Sequence, residues 1–383
     1  MKKIIRITTI PASLKTLLKG QLKYVSQNGY NIIGVSSEGK ELKEVSVNEG
    51  VRVVSLNMSR KITPLKDLIS LWNLYLLFVS EKPDIVHTHT PKAGTIGMIA
   101  SFLARVPVRM HTVAGLPLME VNGVKRLILN IVEKITYFCA SKVYPNSFGL
   151  RDIIIKSKFT NENKLKVIGN GSSNGIDTNH FNPSLFSDYE KKMLQKSLKI
   201  KDTDFIFIFV GRLVGDKGVN ELIEAFDLLS IKNNKIKLLL VGPYEDELDP
   251  IQTISKQKIL KNIQIISVGF QEDVRPYFAI SDLLVFPSYR EGFPNVVMQA
   301  GAMGLPSIVT NINGCNEIII DNFNGLIIPK KDSNSLKESM QFFLENKTKF
   351  NEYSENSRNH IVEKYHCKII WKLLLKEYQE HNS

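Results

Sequence analysis

The chain has 383 residues, of which 43% are hydrophobic and 23% charged, and its formal net charge is +12. This length is too great for one ordinary hydrophobic core and predicts two domains. The hydrophobic and charged fractions predict a soluble globular protein. No apolar run approaches the roughly 20 residues that span a bilayer, so the sequence predicts no transmembrane helix.

The first apolar run, residues 1–10, is interrupted by Arg6 and followed by Pro11, with no small-residue cleavage site after it. It therefore predicts a buried first strand rather than a signal peptide. The three cysteines, Cys139, Cys315 and Cys367, are far apart and odd in number. They fit neither a disulfide framework nor a metal cluster, and they favour a cytoplasmic location.

Strand-like runs alternate with helical patterns along the first half of the chain. The predicted strands are Lys3–Thr9, Tyr30–Ser36, Val51–Leu56, Asp84–His87, Val108–Thr112, Lys142–Pro145 and Lys166–Gly169. The predicted helices between them include Ser13–Gln27, Pro64–Ser80 and Gly123–Ala140. Alternation of this kind is typical of a parallel sheet that is covered by helices on both faces.

The pattern pauses over residues 179–200 and then starts again. The later predicted strands are Asp204–Val210, Lys237–Val241, Ile263–Val268, Leu283–Pro287, Ser307–Thr310 and Gly325–Ile328. The predicted fold class is therefore α/β, with two doubly wound, Rossmann-like domains that face a cleft. We place the domains at residues 1–185 and 186–366, and expect a last helix within 367–383 that crosses back to the first domain.

Charge is distributed unevenly between the two halves. Residues 1–185 hold 25 Lys and Arg against 12 Asp and Glu, whereas the rest holds 25 against 26. A basic half indicates a polyanionic partner such as nucleic acid, an anionic membrane surface or a diphosphate, although a solvated lysine-rich surface explains it equally well. The helical pattern at 123–140 mixes apolar residues with cations, so it fits either a membrane-facing helix or a core helix.

A glycine-rich turn follows the strand run at 205–210. Its glycines, Gly211, Gly215 and Gly218, allow a tight turn and close approach to a ligand. Arg212 and Lys217 bring cations to the same strand end, and a helix N-terminus follows. This turn is a candidate diphosphate cradle, although an ordinary strand-to-helix loop with surface cations is an equally good interpretation.

A second strand, 283–287, delivers a lone carboxylate, Glu291, to its C-terminal end. Because both loops are expected at one edge of a parallel sheet, Glu291 should lie near the cradle, beside the free N–H groups around residues 295–297. An ionised carboxylate binds sugar hydroxyls well, and cations bind phosphates. Together these groups indicate a nucleotide sugar as ligand.

The motif Glu291-Gly-Phe-Pro-Asn before a helix, with the Gly211-Arg212…Lys217-Gly218 loop ahead of it, resembles the retaining glycosyltransferases of family 4, with the GT-B fold. The resemblance covers nearly the whole chain. The segments HTHTPKAGTIGMIA (87–100), GNGSSNGID (169–177) and VGRLVGDKG (210–218) are similar to those of the subgroup that extends saccharides on a polyprenyl-diphosphate carrier. That subgroup assembles capsule, O-antigen and glycoprotein oligosaccharides.

The resemblance implies a role for each matching residue. Its pattern is Glu-x7-Glu, whereas this chain has Gln299 eight positions after Glu291; a glutamine still offers an acceptor oxygen for ribose. The implied catalytic residues are Glu291, His111, Arg212 and Lys217. The implied donor-binding residues are Gly211, Arg212, Lys217, Glu291, Gly292, Asn295, Val296 and Gln299. His87, His89 and Lys92 are candidates on the acceptor side.

Two sequence patterns have the spacing of metal ligands, but neither predicts a metal site. Asp202-Thr-Asp204 precedes a buried strand and is typical of a turn, and His87-Thr-His89 has no evident third ligand. Since two cations and a helix N-terminus can neutralise a leaving diphosphate, we expect a metal-independent reaction without a cofactor.

The expected function is transfer of a hexose or N-acetylhexosamine from a UDP-sugar to a polyprenyl-diphosphate-linked saccharide, on the inner face of the plasma membrane. The expected partners are the nucleotide sugar, the lipid-linked saccharide and an anionic membrane surface, with no nucleic acid. A nucleotide-sugar epimerase of the same architecture, or a non-catalytic assembly partner with a transferase fold, is the alternative. A dehydrogenase is disfavoured because the first strand-to-helix turn lacks Gly-x-Gly-x-x-Gly.

Overall fold

The computed structural model describes residues 1–59, 63–116, 118, 121–245, 247 and 249–381. Within these residues it contains two parallel sheets of six strands, and the chain divides into two compact units. The first unit comprises Met1–Gly175 and Cys367–Ser383, and the second comprises Ile176–His366. This division falls N-terminal to the boundary predicted at residue 185, and the last two residues of the predicted C-terminal segment, 382 and 383, lie outside the described residues.

The first sheet has the strand order β3-β2-β1-β4-β5-β6. Its strands are β1 (Lys2–Ile7), β2 (Tyr30–Ser36), β3 (Arg52–Ser55), β4 (Ile85–His89), β5 (Val108–Val113) and β6 (Lys142–Pro145). The helices of this part are α1 (Pro11–Leu17), α2 (Gln21–Gln27), α3 (Lys40–Glu49), α4 (Pro64–Glu81), α5 (Pro91–Leu103), α6 (Gly123–Cys139) and α7 (Phe148–Lys156).

The second sheet has the equivalent order, β12-β11-β10-β7-β8-β9. Its strands are β7 (Phe205–Val210), β8 (Ile236–Val241), β9 (Ile265–Gly269), β10 (Leu283–Phe286), β11 (Ser307–Thr310) and β12 (Gly325–Ile328). The helices are α8 (Asp188–Ser197), α9 (Val219–Lys232), α10 (Thr253–Lys261), α11 (Arg275–Ala279), α12 (Asn295–Ala302), α13 (Cys315–Ile318), α14 (Ser333–Glu345) and α15 (Lys347–Tyr365). The predicted α/β class with two doubly wound sheets is confirmed.

Alternation along each strand places apolar side chains on both faces of a sheet. In β1, Ile5 and Ile7 belong to the core under α4 and α5, whereas Ile4 belongs to the core on the other face with α1, α2 and α3. The last helix, α16 (Cys367–Glu380), packs into this second core through Leu374 and Tyr378. The C-terminal helix is therefore part of the first unit.

Two sequence predictions about elements are wrong. The single helix predicted for Ser13–Gln27 is broken at Gly20, which has a φ of +76°. A Cβ at Gly20 would lie 2.5 Å from the indole ring of Trp371 in α16, so close packing of the C-terminal helix requires the glycine. The strand predicted for Lys166–Gly169 is not formed: Leu165 makes an isolated bridge with Val143, and the chain then turns away through Gly169, which has a φ of +58°.

Candidate active site

The second sheet has its topological switch point between β7 and β10. These neighbouring strands continue in opposite directions across the sheet, to β8 and β9 on one side and to β11 and β12 on the other. The loops that follow them, residues 211–218 and 287–294, therefore leave the sheet at the place where doubly wound folds form a ligand crevice. Both predicted donor-binding motifs lie on these loops.

The loop after β7 approaches neighbouring backbone closely. Gly218, with a φ of +70°, is the residue before α9, and a Cβ there would collide with the Pro287 carbonyl oxygen of the loop after β10. Asp249 holds the loop from the other side, since its carbonyl accepts from the Gly215 N–H at 3.0 Å and its carboxylate accepts from the Asp216 N–H at 2.6 Å. The two candidate loops are thereby brought together.

The ammonium of Lys217 donates to Oε1 of Glu291 at 2.5 Å, and both side chains are largely shielded, with 15% and 16% of their surfaces exposed. The Ser288 hydroxyl donates to the same carboxylate oxygen at 3.0 Å. Arg212 is also paired, because its Nη1 donates to Glu245 at 2.6 Å, in a more exposed pair. The structure thus joins two predicted site residues, Lys217 and Glu291, in one contact.

The loop that carries Glu291 is fastened by residues that sequence reasoning missed. The Thr310 hydroxyl donates to the Ser288 carbonyl, and the Asn313 amide donates to the Glu291 carbonyl at 2.5 Å. Gly314, with a φ of +78°, packs against the Gly292 carbonyl so closely that a Cβ would not fit. Thr310 is the last residue of β11, the strand beside β10, and Asn313 and Gly314 follow it. Because the carboxyl ends of parallel strands share one edge of the sheet, their position near Glu291 could have been predicted.

The predicted phosphate-binding helix is α12, which starts at Asn295. Asn295 is exposed, Val296 is half-buried, and Gln299, one turn further along, is half-buried as well. Residues four apart lie on the same helix face, so Gln299 lies beneath Asn295. The first N–H groups of the helix have no partner within it, as at any helix start.

A third cation lies at this edge of the sheet. Nε and Nη2 of Arg290 donate to Oδ2 of Asp216 at 3.1 and 2.8 Å. Arg290 was not predicted from the sequence, although it stands next to Glu291. Tyr289 is tied down at the same place, because its hydroxyl donates to Glu221 at 2.5 Å.

His111, the candidate of the first unit, is the fourth residue of β5 and is 3% exposed. Its Nδ1 lies 2.8 Å from the hydroxyl of Thr88. Its ring packs against Gly94 of α5, where a Cβ would lie 2.9 Å from Nδ1. Burial lowers the pKa of His111 to about 4, so the imidazole is neutral near neutral pH.

The other two candidate histidines, His87 and His89 of β4, lie in a buried hydrogen-bond network of the first unit. Nε2 of His89 accepts from Nε of Arg6 at 3.1 Å, so a neutral His89 carries its proton on Nδ1. His87 lies between the hydroxyl of Tyr378, 2.7 Å from Nδ1, and that of Thr112, 2.8 Å from Nε2. Burial holds the pKa of both histidines well below the usual range.

Lys92, the third acceptor-side candidate, is paired with Asp67 at 2.5 Å. This ion pair joins the first turn of α5 to the first turn of α4. The three acceptor-side candidates belong to the first unit, whereas Lys217, Glu291 and Arg212 belong to the second.

Among the described residues, neither Asp202-Thr-Asp204 nor His87-Thr-His89 has a third side chain placed as a metal ligand. In the described part of the chain, no group of three or more His, Cys, Asp and Glu side chains has the arrangement of a metal site. Asp204 accepts from the Lys201 N–H at 2.9 Å, as expected for a turn before a strand.

Helices α4 and α6 turn apolar side chains outward. The exposed apolar residues are Leu65, Leu68, Ile69, Trp72, Leu76 and Val79 on α4, and Val124, Leu127, Ile128, Ile131, Ile135 and Phe138 on α6. The inner side of α6 is instead partly polar, with Thr136 and Tyr137 buried. The alternative that residues 123–140 form an ordinary core helix is therefore wrong. None of the described helices is both long enough and apolar enough to cross a membrane.

Comparison with known proteins places both units in known families. Residues 190–360 match the family model "Glycosyl transferases group 1", and residues 32–171 match "Glycosyl transferase 4-like domain". The chain is 35% identical over 377 residues to the capsular polysaccharide biosynthesis glycosyltransferase CapM of Staphylococcus aureus, covering 98% of this chain and 97% of the relative. It is 33% identical over 312 residues to the UDP-Gal:alpha-D-GlcNAc-diphosphoundecaprenol alpha-1,3-galactosyltransferase of Escherichia coli, covering 80% of this chain and 77% of that protein.

A solved structure shares the fold at low sequence identity. The structure of Anabaena Alr3699/HepE in complex with UDP superposes with a TM-score of 0.82 at 19% identity, covering 99% of this chain and 100% of that one.

Proposed function

This chain belongs to the group 1 glycosyltransferases, in the GT-B family 4 class that its motifs resemble, and we propose that it moves a sugar from a UDP-sugar to a polyprenyl-diphosphate-linked saccharide. The sugar in question is a hexose or N-acetylhexosamine, transferred with retention at the anomeric carbon. The acceptor class rests on the E. coli relative, whose name specifies a diphosphoundecaprenol substrate. The donor rests on that name and on the UDP complex of the structural neighbour.

The observation that carries the proposal is the contact between Lys217 and Glu291 at the switch point of the second sheet. A cation there suits the diphosphate, and a carboxylate beside it suits the hydroxyls of the transferred sugar. Lys217 has three N–H donors, so it can keep one on Glu291 while the others reach phosphate oxygens. The pair thus orients the sugar and its leaving group at the same time.

Breaking the sugar–diphosphate bond puts negative charge on the leaving oxygen. We assign the stabilisation of this charge to Lys217, to Arg212 and to the first N–H groups of α12, without a metal ion. Arg212 must exchange Glu245 for the diphosphate, which its partial exposure permits. Gly211 and Gly292 leave the backbone room beside the ligand.

Asn295, Val296 and Gln299 form the nucleotide end of the proposed site. The amide oxygen of Gln299 can accept from the ribose hydroxyls, and its NH₂ adds donors that the glutamate usual at this position lacks. His111 is proposed to act toward the donor sugar as a neutral hydrogen-bonding group, consistent with its low pKa.

The outer faces of α4 and α6 support an anionic membrane surface as a partner. The first unit holds 28 Lys and Arg against 13 Asp and Glu, so cations accompany its exposed apolar residues. A cation near an anionic bilayer contributes on the order of 1 kcal/mol, and a buried apolar side chain contributes more. We therefore place the protein peripherally on the cytoplasmic face, where a lipid-linked acceptor is accessible.

The test is sugar transfer from a panel of UDP-, GDP- and dTDP-sugars to a lipid-diphosphate-linked acceptor, with and without EDTA. Wild type should transfer from a UDP-sugar in excess EDTA. Lys217→Ala should lower kcat by roughly 10²–10³-fold, as loss of a charge-stabilising donor does. Glu291→Gln should abolish most transfer and leave the Kd for UDP nearly unchanged, because the proposed contact is to the sugar.

Lys258→Ala is the matched control, since it breaks a surface ion pair with Asp227 elsewhere in the second unit, and its activity should equal that of wild type. Strict dependence on Mn²⁺ or Mg²⁺ would contradict the assignment of the leaving-group charge. A tenfold weaker Kd for UDP in Glu291→Gln would contradict the placement of the carboxylate on the sugar.

A further inference from the structure

A cavity of about 700 Å³ lies at the carboxyl ends of β2 and β3, and none of the candidate residues lines it. The strand side contributes Glu38, two residues after β2, and the segment 55–59, which starts at the last residue of β3. The carboxyl edge of a doubly wound sheet is its usual ligand edge. The volume is in the range of small-molecule sites.

The opposite wall of the cavity is one stripe of α4. Lys66, Ile69, Ser70 and Asn73 line it, at the spacing of one helix face. Ser70 fixes this wall to the strand side, because its hydroxyl donates to the Asn57 carbonyl at 2.6 Å. The wall is therefore preformed rather than dependent on a ligand.

The polar groups of the cavity suit a saccharide and a phosphate. Asn57, Asn73 and the Glu38 carboxylate are exposed and can exchange hydrogen bonds with sugar hydroxyls. Lys66 makes no ion pair with any residue that the structure describes, unlike Lys92, whose charge is neutralised by Asp67. Lys66 is thus the cation of α4 that is available for a phosphate.

The apolar residues beside the cavity suit a lipid. The next stripe of α4 carries Leu65, Leu68 and Trp72, which are 78%, 63% and 58% exposed. Ile69 belongs to both surfaces, since it lines the cavity and is 61% exposed. One stripe of α4 thus offers a cation and an amide, and the adjacent stripe offers apolar side chains. This arrangement suits a ligand in which a phosphate joins a sugar to a hydrocarbon chain.

We propose that this cavity binds the acceptor: the saccharide lies between the β3 end and α4, Lys66 binds the diphosphate, and the lipid lies along the outer stripe of α4. Asn57 and Asn73 are then the specificity-determining residues for the acceptor sugar. The assignment rests on the proposed function for the identity of the acceptor, but the site itself can be tested without sugar transfer.

Trp72 supplies a direct binding signal. The chain has two tryptophans, so Trp72 is the sole emitter in Trp371→Phe. Titration of that variant with a short-chain prenyl diphosphate should shift the Trp72 emission to the blue, and adding Lys66→Gln should weaken the apparent Kd at least tenfold. No shift at any concentration, or a shift that Lys66→Gln leaves unchanged, would overturn the site.

Steady-state transfer separates the site from the proposed function. Lys66→Gln with Asn73→Ala should raise the KM for a prenyl-diphosphate-linked N-acetylhexosamine at least tenfold, while the Kd for UDP stays within twofold. The control pair, Lys43→Gln with Asn48→Ala, changes the same residue types at exposed positions of α3 and should alter neither constant. An unchanged KM in the first pair, with transfer intact, overturns this inference alone; a Trp72 response without transfer from any nucleotide sugar supports the site and contradicts the proposed function.

Discussion

Lys217 and Glu291 illustrate how a single contact constrains the chemistry of the site. The 2.5 Å contact and the low exposure of both side chains hold the Glu291 carboxylate in one orientation. Ser288 gives the same oxygen a second donor, and Asn313 holds the backbone behind it. A ligand therefore meets a site whose acid is already oriented, which lowers the conformational entropy lost on binding.

Buried neutral histidines give the first unit a defined response to acid. His111 has a folded-state pKa of about 4, whereas a histidine in the unfolded chain titrates near 6.5. As the pH falls from about 6.5 to about 4, this histidine binds a proton in the unfolded state but not in the folded state, so the free energy of unfolding decreases. Between pH 7.5 and 5.0 this one group should lower the free energy of unfolding by about 2 kcal/mol.

Urea unfolding followed by tryptophan fluorescence tests this, because Trp72 and Trp371 both lie in the first unit. His111→Gln should reduce the loss of stability between the two pH values by that amount. Equal losses in wild type and variant would show that His111 titrates normally in the folded protein.

At the scale of elements, α4 and α6 are amphipathic with the apolar face outward. Ile128 and Ile131 of α6 are 52% and 50% exposed, so replacing them should cost little folding stability. We expect wild type to bind anionic vesicles reversibly, with binding that fades in high salt because screening weakens the attraction. Ile128→Gln with Ile131→Gln should weaken this binding at least fivefold in vesicle co-sedimentation.

The matched control is Leu260→Gln with Ile263→Gln, since these residues are still more exposed but lie in the second unit. Their replacement should leave vesicle binding unchanged. If wild type ignores anionic vesicles even in low salt, the membrane assignment is wrong.

Elements dominated by buried apolar runs could be predicted from the sequence, and side-chain pairing could not. The run at 205–210 is apolar on both faces, and it forms a strand as predicted. The break at Gly20 escaped prediction because its cause is Trp371, a residue far away in the sequence. The motifs brought Lys217 and Glu291 to one edge, but the contact between them depends on loop conformations that residue spacing does not specify.

The same limit explains the residues that were missed. Arg290 and Asn313 carry no motif of their own, and their importance follows from what they touch in the folded chain. The pocket between the β3 end and α4 likewise combines segments that no sequence pattern connects.

At the scale of the whole molecule, the C-terminal helix completes the core of the first unit. The Tyr378 hydroxyl is 2.7 Å from Nδ1 of buried His87. Tyr378→Phe keeps the ring and removes this hydroxyl, leaving a buried polar atom unpaired, so it should destabilise the first unit by about 1–3 kcal/mol. Tryptophan-detected urea unfolding measures the change.

Tyr365→Phe is the corresponding change in the second unit, where the hydroxyl donates to the Glu317 carbonyl at 2.9 Å. Tyr365→Phe should leave the urea concentration at the midpoint of the tryptophan-detected transition unchanged. A Tyr378→Phe protein with wild-type stability would show that α16 is not an energetic part of the first core.

The position of α16 also has a consequence for biosynthesis. The second unit is inserted in the sequence between the main part of the first unit and its final helix. During translation at roughly 5–20 residues per second, the whole second unit leaves the ribosome before α16 does, a delay on the order of tens of seconds. Throughout that interval the nascent first unit lacks Leu374 and Tyr378, so its core surface is open to chaperones, and the second unit can finish folding first although the ribosome makes it later.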